Sequence, residues 1–177
     1  MASWMTDDTA GDRLRDQDLQ HFAVVHPGDD AEQVTAESTD WLVMVDFEGV
    51  PVGVAGPGRQ VAWSVVVASA ELRVDAALKS PAFDEVDPNT GVVVLEGREV
   101  VGVWAGDSLA RALLQGPARD LTQSSLPGYP DIPLIVQTCG YSENDVPCGT
   151  SDTFQRKPSV MPPCPNNNHL SPHTFVW

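Results

Sequence analysis

Residues 41–56 read WLVMVDFEGVPVGVAG, and residues 91–106 read GVVVLEGREVVGVWAG. Laid over one another, the two stretches share a plan: a Val-rich run, an acidic-Gly step, and a second apolar run ending in Ala-Gly. Val-rich runs suit strands buried on at least one face. Glu48-Gly49 and Glu96-Gly97 supply the tight reversals of two hairpins. Working outward, each hairpin is preceded by a polar segment and a further short apolar strand, which begin after His21 in the first copy and at Trp63 in the second. The period of about 48 residues predicts two similar halves packed together, since neither half alone buries enough apolar surface.

Between the strands of the second copy, residues 70–80 put Leu72, Ala76 and Leu78 on a helical stripe. Leu109, Ala112 and Leu113 recur at helical spacing over 107–115, with Asp107 or Ser108 as its cap. The expected class is α+β. Residues 1–20, acidic and turn-rich, are expected to form a disordered leader.

Composition narrows the partners. The 177 residues carry 25 acidic and 10 basic side chains, a formal charge of −15. Such a surface repels phosphate backbones and anionic lipid, so neither nucleic acid nor a membrane is an expected partner. Residues 1–20 lack the apolar run of a secretory signal, and no stretch approaches a membrane span; a cytoplasmic protein is expected.

The order of strand, helix, acidic-Gly hairpin and then GREVVGVWAGDSLARALL resembles the end of a cystathionine-β-synthase-type (CBS) domain, and the first copy is a looser version. The resemblance implies a tandem CBS pair over 21–117, a family that commonly binds adenine nucleotides, regulates a partner protein and often dimerises through its helices. In the family a Thr or Ser, and an Asp three residues later, hold the phosphate and the ribose hydroxyls. Aligned on Gly102 those positions are Ala105 and Ser108, with Asp107 one residue early, about 100° away on a helix. Aligned on Gly53 they are Gly56 and Arg59. Both half-sites lack the acidic ribose acceptor, so a degenerate pair is expected, with Arg59, Asp107 and Ser108 as the residual ligand-binding candidates. The stretch GVAGPGR around Arg59 reads first as a turn and second as an anion site.

Past Gln115, residues 118–133 gain Pro, Gly and Ser and read as a linker. All three cysteines follow it, in a segment (134–177) expected to be a separate module opened by a strand over 134–138. The ligand spacing is Cys139-x8-Cys148-x15-Cys164-x4-His169-x3-His173. Clustered thiols in a reducing compartment more often bind metal than crosslink, and tetrahedral zinc takes S and N ligands in pairs. Cys139, Cys148, Cys164 and His169 are the expected zinc ligands, His169 being placed ahead of His173; the polar insertion GYSENDVP must loop out. The segment resembles a zinc ribbon or rubredoxin-like knuckle in general pattern. Phe154, Met161, Phe175, Val176 and Trp177 offer a miniature core.

No nucleophile–base pair, phosphate loop or dinucleotide fingerprint stands in its proper context, and no acid–base carboxylate accompanies the thiols, so catalysis is not expected. The expected function is that of a non-catalytic regulatory or adaptor protein, which docks a protein partner or self-associates as a homodimer. The alternative is an adenine-nucleotide sensor.

Overall fold

The structure, a computed structural model, describes residues 13–29, 34, 38–87, 89–115, 133–143, 146–166 and 173–175. It is an α+β fold in which the repeat is visible strand by strand. In the first half β1 (Phe22–Val25) pairs in parallel with β2 (Trp41–Val45), which pairs antiparallel with β3 (Pro51–Ala55). In the second half β4 (Ser64–Ser69) is parallel to β5 (Gly91–Glu96), which is antiparallel to β6 (Glu99–Ala105). Even the irregularities correspond: the register slips between Met44 and Val45 in one hairpin and between Val94 and Leu95 in the other.

Both acidic-Gly reversals form where expected, with Gly49 at φ 81° and Gly97 at φ 64°, a region glycine enters without steric penalty. In the first, the Asp46 carboxylate organises the turn. Its Oδ1 accepts from the amides of Glu48 (2.9 Å) and Val50 (2.8 Å).

The second half is extended by the segment expected to stand apart. β7 (Leu134–Thr138) runs antiparallel along β4, with Val65 opposite Val136 and Val66 opposite Ile135, and β10 (Ser151–Phe154) pairs with β7. The resulting sheet has the order β10-β7-β4-β5-β6. The strand over 134–138 therefore belongs to the sheet of the second repeat, because its alternating side chains complete two cores at once. Ile135 joins Val66, Ala68, Val92, Val94 and Trp104 on one face, while Val136 joins Val65, Val93 and Val103 on the other, packed against β2 and β3. Of the expected linker 118–133, only Pro133 lies within the described residues.

The helix expected over 70–80 is reduced to one turn, α1 (Val74–Ala77), followed by a 3₁₀ turn (Pro81–Glu85). Two constraints shorten it. Pro81 disfavours helical geometry at Ser80, and the backbone at 70–72 is already committed to other partners. The Ala70 and Leu72 carbonyls accept from the amides of Arg15 (3.1 Å) and Leu14 (2.9 Å).

Those partners belong to the leader, which is packed down from Arg13 onward rather than disordered throughout. Leu14 is completely buried in the core beneath the sheet, and Gln20 donates its amide to the Val103 carbonyl at the edge of β6 (2.8 Å). Leu19 crosses β6 so closely at Gly102 that a Cβ there would sit 2.7 Å from the Leu19 Cβ. Residues 1–12 lie outside the described residues. Helix α2 (Gly106–Gln115) follows β6, with its first amide bound to the Thr90 carbonyl (2.7 Å). Among the described residues no helix is long and apolar enough to cross a membrane.

Leu14→Ala tests whether the leader is part of the fold: removing a fully buried Leu is expected to cost about 2–5 kcal/mol, read as a lower urea midpoint with an unchanged slope. A variant as stable as the parent would show that this segment does not contribute to the core.

Candidate metal centre and inter-repeat cleft

Strand β7 ends by delivering Cys139, and the chain then makes a closed excursion. Two short strands, β8 (Ser142–Glu143) and β9 (Val146–Pro147), pair with each other, which is how the eight-residue gap loops out. The excursion is closed at its base by the Cys148 amide on the Tyr141 carbonyl (2.7 Å) and the Cys139 amide on the Thr150 carbonyl (2.8 Å). Gly149, at φ 64°, reverses the chain into β10. The two thiols that sequence spacing separates are thereby brought to one side of a knuckle.

The second pair of ligands comes from two segments joined by an isolated antiparallel bridge. Pro163 bridges Thr174, the Cys164 amide donates to the His173 carbonyl (2.9 Å), and the Phe175 amide donates to the Pro162 carbonyl (3.4 Å). This antiparallel pairing sets Cys164 and His173 side by side. His169, placed ahead of His173 from its shorter spacing, lies outside the described residues. The His173 ring stacks on Tyr141 with centroids 4.1 Å apart and planes 12° from parallel. Phe175, 1% exposed, meets Phe154 edge-on and pins the returning strand.

One ligand atom from each of Cys139, Cys148, Cys164 and His173 lies within 4.8 Å of all the others. The Cys148 and Cys164 Sγ atoms are 3.6 Å apart, far beyond a disulfide and close to the edge of about 3.8 Å that a tetrahedron with metal–sulfur bonds near 2.3 Å requires. The donor set and its dimensions therefore fit a metal ion. Cys139 is 2% exposed, and burial pushes its thiol up to about 11. Cys148 goes the other way. Burial opposes its ionisation, but hydrogen bonds from the Thr150 side chain and backbone, from His173 and from the Asn166 amide (3.3 Å) bring it down to about 5. A thiolate already stabilised in this way is ready to accept a cation.

The ligand-binding candidates named from the repeat also come together. Arg59, Asp107 and Ser108 line one cleft of about 520 Å³ between the two halves, along with Asp18, Trp41 and Arg111. Arg59 sits in a turn, its amide on the Gly56 carbonyl (3.1 Å) and its guanidinium bonded to Asn89. Asp107 accepts from the Ser108 amide at 2.8 Å and pairs with Arg111 at 3.4 Å. Trp41, which the sequence suggests as a core or interface anchor, borders this cleft, with its ring 3.4 Å from where a Gly56 Cβ would be. Arg111 and Asp18 carry no sequence signal: one is an ordinary exposed helix residue and the other belongs to the leader. No protein-family model, curated protein or solved structure matches the chain.

Two features do not depend on the returning segment: Cys139 is buried at the end of β7, and Cys148 is bonded to Thr150 within the knuckle, which sets an order of reactivity in the metal-free protein. Between about pH 6 and 8, iodoacetamide is expected to label Cys148 faster than Cys139. Cys148 labelling should slow as pH falls and its thiolate is lost, and peptide mass mapping reads both results. Equal labelling of Cys139 and Cys148 at neutral pH would contradict this arrangement.

Proposed function

We propose that this protein is a non-catalytic regulatory or adaptor module of the tandem CBS type, whose C-terminal segment is held in place by a structural zinc ion. The observation that carries this reading is the converging set of three thiols and one imidazole at the end of β7. Three sulfurs and a nitrogen are the donors of closed, tetrahedral zinc sites, and a site with four protein ligands leaves no position for a substrate. The arm that carries Cys164 and His173 has little buried apolar surface apart from Phe175, and there metal binding would supply ordering free energy. Support for the CBS reading comes from the duplicated order of parallel strand followed by antiparallel hairpin, and from helix α2 after the second hairpin. Self-association through α2 accords with Leu114, which is 86% exposed on that helix.

A second reading, adenine-nucleotide sensing, is favoured by the inter-repeat cleft. It has the volume of a small-ligand site and combines an indole, two guanidinium groups and the start of a ten-residue helix.

Elemental analysis of the purified chain is expected to find one zinc per polypeptide and no colour. Cys164→Ser should reduce zinc below about a tenth of an equivalent and open the segment after β10 to limited proteolysis, while gel filtration reports the dimer. Metal-free protein whose tail resists protease would overturn the zinc reading. Calorimetry with AMP and ATP tests the second reading, for which micromolar binding is the expected result.

A further inference from the structure

We propose that Cys148 and Cys164 are a reversible modification site, a thiol pair that hydrogen peroxide converts to a disulfide while Cys139 stays a thiol, so that oxidation releases the metal. This rests on the zinc reading and gives two of the same residues a second chemistry. The geometry selects the pair. Cys148 and Cys164 are both partly exposed, and their sulfurs lie 3.6 Å apart. A disulfide needs about 2.05 Å, so closing it takes a movement of about 1.5 Å. The Asn166 side chain, two residues beyond Cys164, donates to the Cys148 sulfur at 3.3 Å and so ties the two arms together at the reacting atoms.

Cys139 is placed differently. It is 2% exposed, its amide is held on the Thr150 carbonyl, and its neighbour Thr138 is bonded to both Trp63 and Val52. That sulfur neither meets a solute nor moves with its backbone. Cys164 is on an arm fixed by one isolated bridge and its flanking amide bonds, which can take up the shift. In the reaction one sulfur attacks a peroxide oxygen and breaks the O–O bond, giving a sulfenic acid and one water. The second sulfur displaces the other oxygen as water and forms the S–S bond. Two electrons pass from sulfur to oxygen, and solvent supplies the two protons where the thiols begin ionised. Two of the four donors are then consumed, and Cys139 with His173 alone does not make a closed tetrahedral site. The disulfide keeps the arms joined while the site is empty, so reduction returns both donors to the place they left.

The experiment treats the full chain as purified with excess hydrogen peroxide and reads released zinc with a metallochromic dye. Free thiols are then blocked and peptides are mapped by mass without reduction, for the parent and for Cys139→Ser, with circular dichroism to check folding. Zinc is expected to leave in step with formation of a Cys148–Cys164 disulfide, with Cys139 recovered as the blocked thiol. Dithiothreitol and added zinc should restore both thiols and the bound metal, and Cys139→Ser should form the same crosslink. A main disulfide that includes Cys139, sulfinic acids at Cys148 and Cys164 without a crosslink, or thiols and zinc that survive the peroxide would each overturn the proposal. A chain purified without zinc would overturn the zinc reading and the metal release with it, while the same mapping on that chain still decides the pairing.

Discussion

Strand β4 is hydrogen-bonded on both sides, in parallel to β5 and antiparallel to β7, and its side chains alternate between two cores. Val65 faces the sheet of the first repeat, while Val66 and Ala68 face the layer that contains Leu14, Phe83 and Leu109. A strand in that position has no free edge, and its inner residues Val65, Val66 and Ala68 are buried, so a polar residue at those three positions would lose water without gaining a partner. The other units are placed by reference to it. The first repeat is packed on one of its faces, the leader and α2 lie over the other, and the C-terminal segment is attached along its flank.

That attachment explains where the metal centre sits. Thr138, the last residue of β7, donates its amide to the Trp63 carbonyl (3.1 Å) and its hydroxyl to the Val52 carbonyl of β3 (3.2 Å). The residue next to Cys139 is therefore tied to both sheets. One ligand arm begins from rigid scaffold, while the other, carrying Cys164 and His173, returns over the surface and is anchored by Phe175. A metal ion held by this group would join a fixed element to a returning one, the geometry in which a cross-link restricts the chain most effectively. The opposite shifts of Cys139 and Cys148 follow from the same asymmetry: the scaffold thiol is desolvated, and the knuckle thiol is surrounded by donors.

The cleft follows from the duplication. Corresponding ends of the two hairpins, at Gly56 and at Ala105, meet across the interface between halves, so one turn and one helix start share a cavity. Its further walls come from residues that take no part in the repeat. The leader contributes Asp18, and the loop before β5 contributes Asn89. A cleft lined by five separate segments keeps its shape only while the leader remains docked on β6.

How much of this is legible in the sequence depends on the range of the forces involved. Hairpins are local: Val runs on either side of Glu48-Gly49 and Glu96-Gly97 carry their own reversal, and both form at the expected residues with matching register slips. The helix over 107–115 is legible for the same reason, and the three cysteines form one cluster in sequence before they form one in space. Residues 70–80 mislead because helical periodicity is present there, but the backbone is claimed by Leu14 and Arg15, nearly sixty positions away. An acidic, turn-rich leader gives no sign of burial, since its anchoring rests on Leu14, Leu19 and a few backbone hydrogen bonds. The strand over 134–138 announces itself as a strand, but nothing in five residues states which neighbour it will pair with. Spacing points to His169 as the nearer imidazole, and that residue lies outside the described ones; His173 joins the thiols because its backbone pairs across from Cys164. The sequence by itself determined which segments are strands, where they reverse and which side chains can hold a metal, because those properties reside in adjacent residues. Only the tertiary structure decided which strands share a sheet, that His173 lies among the thiols and which residues border the cleft, because those are settled by burial and pairing between segments far apart in the chain.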